Sequence, residues 1–346
     1  MAKAVRKNEK LDFSEALRAL KADGPGGAFL LWGEEDYLRE RYFDVLRSMC
    51  LGDAPDEFNH RRINGQGLDI RELNQAVDSM PFFSEHTLVE VRGLDLNKCR
   101  DADAEALRAL LKDIPDYCTL VFLPDEGFEP DGRLALIKDL RKTGREVRFT
   151  PQEQSQLTGW IRRHFKDAGK DIGRAEAEHL VMVSGSLMTR LLPEIEKVAN
   201  YAKGDTVTIA DIDAAAIRVP EAEVFDMTER LAAGDFDGAA SKLADLLATK
   251  NHPIMLLSII SQQLRRLYAA RLAIDGGLGR DYLTQLYDIR YDFISDRLMK
   301  QASAFKTARL AHCIELCADY DYAMKSSGDD DEALLKELLE RLALGR

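Results

Sequence analysis

A chain of 346 residues, 45% hydrophobic and 31% charged, has the balance of a globular protein and exceeds what one core usually serves, so two or three domains are expected. Its 60 acidic against 48 basic residues give a formal net charge of -12, which excludes a surface coated throughout by nucleic acid but leaves room for a local basic patch. No apolar run approaches the roughly 20 residues of a membrane span, residues 1–10 are basic without an apolar signal core, and five scattered cysteines suit reduced thiols, so a cytoplasmic chain without membrane contact is expected.

In chain order, residues 12–20 read as a short amphipathic helix, closed by Gly24, Gly26 and Gly27. Phe29, Leu30, Leu31 and Trp32 form an apolar run that reads as a buried strand, followed by Gly33 and a helix to about 49. Asp69 opens another helix, with Glu72 three residues on as in a capping box. Pro81 predicts that this helix ends near 78–79. Strands are expected at 87–91, 118–123 and 146–149, alternating with helices at 104–112 and 133–142, the pattern of a parallel α/β sheet.

Beyond Pro151 the strand signals vanish. Helices are expected at 152–168, 174–183, 187–203 and 208–217, a small helical unit. After Val219 and Pro220 come seven amphipathic helices, at 225–233, 236–249, 254–275, 281–287, 292–304, 307–324 and 331–344. The composition shifts divide the chain at about 150 and 218. The fold class expected is therefore α/β plus all-α.

The strand, glycine and helix at 29–49 stand where a phosphate-binding loop would. Such a loop needs glycines whose N–H groups wrap phosphate, a lysine, and a Ser or Thr for magnesium. Gly33, Glu34, Glu35 and Asp36 provide one glycine and three carboxylates. These are expected to complement the positive end of their own helix and to repel phosphate. The strand at 118–123 runs into Pro124, Asp125 and Glu126, which read as a solvated strand end. Cys313 and Cys317 stand beside His312 without the second ligand pair of a structural zinc site. No catalytic triad or carboxylate pair stands out, and no cofactor or metal is expected.

Two segments invite contact with partners. Met80, Pro81, Phe82 and Phe83 form an apolar tip at a helix end. Large soft or aromatic side chains there suit a partner's pocket, or they fold back into the core; the residues alone leave both open. Farther on, Arg265, Arg266 and Arg271 lie on one helix, with Leu264, Leu267 and Leu272 expected to face inward. They suit either DNA phosphates or a neighbouring helix. The acidic run from Asp329 to Glu332 reads as a cap for the last helix.

Four stretches, in order, resemble the delta subunit of the bacterial DNA polymerase III clamp loader. They are Phe29 to Leu38, similar to a degenerate nucleotide loop; Met80 to Val89, similar to a clamp-contacting tip and strand; Leu192 to Tyr201, with Glu194, Glu196 and Lys197; and Asp321 to Gly328, with Lys325 and Ser326. Ile209 to Ile212 and Val224 to Asp226 follow the third. The resemblance implies an AAA+-like α/β clamp-binding domain (1–150), a helical lid (151–218) and a helical collar for oligomerisation (219–346). It implies a subunit that binds and helps open the sliding clamp (beta) without hydrolysing ATP. Its partners would be the ATPase subunits (tau/gamma), delta-prime and, within the complex, primed DNA. The clamp-contacting residues implied are Met80, Phe82 and Phe83. Two other readings remain: a stand-alone DNA-binding helical protein, and an atypical AAA+ ATPase.

Overall fold

Five short strands in the first 150 residues line up side by side. In the computed structural model they form one wholly parallel sheet of order β2-β3-β4-β1-β5. The structure describes residues 13–52, 56–249, 251–326, 328 and 330–344. Asp12 of the first expected helix, and Ser327 and Asp329 near the last one, lie outside the described residues. So does the whole of the expected signal-free stretch 1–10.

The chain divides into two compact units, one of residues 13–151 with Leu187–Thr189, the other of Gln152–Ser186 with residues 190–344. The first unit runs α1 (Phe13–Asp23), β1 (Gly27–Gly33), α2 (Asp36–Leu51), α3 (Asp56–Asn59), β2 (His60–Asn64), α4 (Ile70–Asp78), β3 (Thr87–Arg92), α5 (Asp101–Leu110), β4 (Cys118–Leu123), α6 (Ala135–Thr143) and β5 (Arg145–Phe149). Parallel strands need helical crossovers, so both sheet faces are covered and the inner strands read as continuous apolar runs. Leu30, Trp32, Val89, Val91, Leu120 and Phe122 pack with residues of α4, α5 and α6 in one core. The alternate residues Phe29, Leu31, Leu88 and Val121 are fully buried as well, and α2 lies against β1, β3 and β5.

Strand β2 escapes the apolar pattern. His60, Arg61, Arg62, Ile63 and Asn64 hold one aliphatic residue, because β2 is an edge strand with two outward arginines and edges commonly carry charge. Inside, His60 meets Glu90 of β3 at 2.6 Å, and both side chains are buried. Burial alone would raise the Glu90 carboxyl, but hydrogen bonds from His60 and Arg92 outweigh it and hold Glu90 below the usual carboxylate range. At α4, Asp69 does cap, but by accepting from Arg71 N–H in the first turn.

The second unit runs α7 (Gln154–Asp167), β6 (Asp171–Ile172), α8 (Arg174–Ser184), α9 (Met188–Tyr201, whose first two residues belong to the first unit), β7 (Thr206–Val207), α10 (Ile209–Ala215), α11 (Pro220–Ala233), α12 (Phe236–Ala248), α13 (Pro253–Asp275), α14 (Arg280–Tyr287), α15 (Asp292–Ala302), α16 (Thr307–Ser326) and α17 (Asp331–Leu344). It is not wholly helical, since β6 and β7 pair in parallel. Two-residue strands are too short to leave a periodic signal. The Glu194 carboxylate is buried and accepts from Ile217 N–H at 2.9 Å and from Lys197 at 2.7 Å, so the Glu-rich stretch on α9 ties down the segment ahead of α11. Helices α11 to α17 share one apolar core that includes Cys313 and Cys317. Burial pushes the Cys317 thiol up to about 12, away from the reactive thiolate. Asp330 accepts from Glu332 N–H at 3.0 Å and so caps α17.

Candidate functional site

The 33–36 turn connects β1 to α2, and its first residue can only be glycine. Gly33 has φ 131°, and a Cβ there would stand 2.1 Å from Phe149 O. The strand β5 thus lies directly against the turn, and Glu35 N–H donates to Phe149 O at 3.2 Å.

The carboxylates behave differently from the sequence expectation. Only Glu34 is exposed. Glu35 is the N-cap residue of α2 but makes no side-chain cap bond. Its carboxylate is fully buried and accepts from Met188 N–H at 3.2 and 3.3 Å. Asp36 pairs with Arg39 one turn on, at 3.0 Å, and the buried Arg39 also donates to Pro124 O at 3.3 Å. The carboxylates do stand at the start of α2, with Glu35 at the N-cap and Asp36 in the first turn, but Glu34 is exposed, Glu35 also serves Met188 N–H and Asp36 also holds Arg39. Asp125 and Glu126, beyond Pro124, are exposed. Glu35, Asp36 and Arg39 at this turn are thus paired with one another or with neighbouring backbone.

The tip is built the other way round. Helix α4 stops at Asp78 because Ser79 turns extended (ψ 125°) ahead of Met80 and Pro81. Its last turn is fastened by Ser79 Oγ donating to Gln75 O at 2.7 Å and by Tyr117 OH donating to Asp78 O at 3.1 Å. Beyond it, Met80 is 80% exposed, Phe82 52% and Phe83 82%. The rings of Phe82 and Phe83 meet edge to face at 4.3 Å. Of the two openings left by the residues, folding back into the core is the one the geometry rejects. Phe83 has φ 59°, a conformation that bulky residues rarely adopt.

Two residues here escaped the sequence reading. Phe58 is 53% exposed with its ring 5.5 Å from that of Phe82, and Asn59 beside it binds the Phe82 backbone. They precede the charged edge strand, whose absence from the expected elements hid their proximity to the tip.

The three arginines of α13 are not equivalent. Arg265 is exposed and donates to Ser261 Oγ at 2.6 Å. Arg266 is half-buried over the Tyr287 ring, and burial lowers its pKa. Arg271 is paired with Asp275. Leu272 is exposed rather than inward. It lies five positions beyond Leu267, about 140° around a helix of 100° per residue, so Ala270 and Ala273 are buried in its stead. Among the described residues no cluster of three or more His, Cys, Asp or Glu could hold a metal ion, and no helix is long and apolar enough to cross a membrane.

A wholly parallel α/β unit with an exposed aromatic tip, followed by a mostly helical second unit, places the chain in the α/β plus α-helical class. Two family models match the chain: "DNA polymerase III, delta subunit" over residues 29–150 and "DNA polymerase III delta subunit, C-terminal domain" over residues 221–342. The chain belongs to the DNA polymerase III delta subunit family. It is 24% identical over 336 residues to DNA polymerase III subunit delta of Bacillus subtilis (strain 168), covering 94% of this chain and 95% of the relative. It is 20% identical over 319 residues to the probable DNA polymerase III subunit delta of Aquifex aeolicus (strain VF5), covering 90% and 89%. A solved structure of the Bacillus subtilis DNA clamp loader delta protein shares the fold, with a TM-score of 0.54, 22% identity, and coverage of 96% of this chain and 100% of that one.

Proposed function

We propose that this chain is the clamp-contacting subunit of a clamp loader. Met80, Phe82 and Phe83 enter an apolar pocket on one subunit of a ring-shaped sliding clamp. They hold one ring interface open while the ring is loaded onto primed DNA. The observation that carries this reading is the outward aromatic tip on a fastened helix end. A few such anchors supply most of the energy of a protein contact, and a ligand that prefers the opened ring shifts the ring toward it.

Hydrolysis of ATP belongs to partner subunits in this reading. The chain is then a non-catalytic, cytoplasmic member of a DNA polymerase holoenzyme. Residues 1–150 serve as the clamp-binding domain, 151–218 as a lid and 219–346 as a collar meeting the tau/gamma ATPases and delta-prime. Support comes from the turn at 33–36, where Glu35, Asp36 and Arg39 are engaged internally. Lone DNA binding through α13 is less favoured, since Arg266 and Arg271 are tucked or paired.

The test is capture of purified clamp by the full chain, beside a Phe82→Ala, Phe83→Ala double variant. Wild-type capture with loss in the folded variant is expected. Undiminished capture by that variant would sink the site assignment. Measurable ATP binding by the isolated chain would favour the ATPase reading, and tight, salt-sensitive binding of duplex DNA would favour the DNA-binding one.

A further inference from the structure

Asn59 closes α3 and is 1% exposed. Its amide carries a donor and an acceptor on one plane, and both are spent on a single residue. Nδ2 donates to Phe82 O at 2.6 Å, and Oδ1 accepts from Phe82 N–H at 2.6 Å. The side chain thereby gives Phe82 the paired bonds that a neighbouring strand would give. The next residue, Phe83, sits in the left-handed region at φ 59°, a state that a bulky residue keeps only when its surroundings over-determine it. Phe58, just ahead of Asn59, adds a third exposed ring against Phe82.

We infer that Asn59 is a positioning residue that presets Phe82 and Phe83 in their clamp-binding conformation, and that Phe58 completes the same contact surface. The inference rests on the clamp-contacting reading above. A loop that must be ordered on docking loses affinity to that ordering, whereas a preset loop does not. Asn59 touches no partner atom; it acts through the backbone of Phe82. The surface it holds is uncharged and aromatic, which suits an apolar pocket with room for ring edges.

The experiment uses the full chain and the purified ring clamp. It measures association and dissociation rates, amide hydrogen exchange and the unfolding midpoint for wild type, Asn59→Ala, Asn59→Asp and Phe58→Ala. Asn59→Ala is expected to bind about tenfold more weakly, chiefly through slower association, because the competent conformer becomes a minority. The Phe82 amide should exchange faster in it while the unfolding midpoint stays near the wild-type value. Asn59→Asp keeps an acceptor for Phe82 N–H and should recover part of that protection. It also carries the test if the alanine variant does not fold. Phe58→Ala should weaken binding about threefold with exchange at Phe82 unchanged.

An Asn59→Ala chain that exchanges fast at Phe82 yet binds as tightly as wild type overturns the inference. So does a loss of affinity that merely follows the folded fraction, with exchange rising throughout β2 and β3. Failure of the wild-type chain to bind the clamp removes the clamp reading itself; wild-type binding with an unchanged Asn59→Ala removes only the role of Asn59.

Discussion

Two turns of the same α/β unit spend their groups in opposite ways. At 33–36 Glu34 is exposed, but its neighbours are engaged within the protein: Glu35 on Met188 N–H, Asp36 on Arg39, Arg39 on Pro124 O. At 79–84 the backbone is held instead, by Asn59 on Phe82 and by Ser84 Oγ donating to His86 O at 2.6 Å, while the large side chains face solvent. Apart from the exposed Glu34, the carboxylates of that first turn are occupied within the protein. A turn whose backbone is fixed and whose rings are outward is ready for a protein pocket. The two turns differ in where their groups are directed more than in composition, since both are rich in conspicuous residues.

The comparison can be broken most directly at the tip. Phe82→Ala with Phe83→Ala should lower clamp affinity by about 100-fold or more, the scale of losing two central anchors, with an unchanged unfolding midpoint; surface plasmon resonance and calorimetry together check this. A drop in midpoint matching the loss of binding would mean that the rings support the fold after all.

At the other turn the effects should fall on stability. Gly33→Ala must place a Cβ against Phe149 O at a φ of 131°, and a loss of about 3 kcal/mol or more in denaturant unfolding is expected. Glu35→Ala leaves Met188 N–H buried without this acceptor, at a cost of about 1–3 kcal/mol; Glu35→Gln, which keeps one acceptor, should cost less. Both Glu35 variants should bind clamp as wild type does once corrected for folded fraction. Loss of clamp binding by a fully folded Glu35 variant would erase the distinction between the turns.

The smallest effect concerns the support near the tip. Glu90 has its carboxyl held low in the folded chain, so its stabilisation is complete above the unfolded carboxyl value of about 4.3 and is lost as pH falls through the lower folded value. Glu90→Gln should cost about 1 kcal/mol near neutrality and flatten that acid limb. A stability profile below pH 4.3 unaltered by the substitution would show that the bonds to His60 and Arg92 contribute nothing.

Much of this was legible in the residues. The apolar runs at Phe29 and Cys118 became β1 and β4, Pro81 ended α4 where expected, and the alternation of strands and helices became a parallel sheet. Strand β2 was not legible, because an edge strand with outward arginines has no apolar period. Nor were β6 and β7, whose two residues each are too few to show a period. The inward placement of Leu272 failed because its turn of α13 is set by alanines. At the site, Met80, Phe82 and Phe83 could be named, yet Phe58 and Asn59 could not, since 23 residues separate Asn59 from Phe82.

By itself, then, the sequence determined the period of each core element, the want of a lysine in the 33–36 turn, and the presence of an apolar tip. These are local properties, governed by side-chain spacing, backbone restrictions and residue type. Only the tertiary structure decided which way the groups point. Glu35 turns inward to Met188 N–H beside β5, and Phe83 faces outward next to Phe82, whose backbone Asn59 at the end of α3 bonds twice. Both outcomes depend on hydrogen bonds between residues far apart in the chain, which no local pattern encodes.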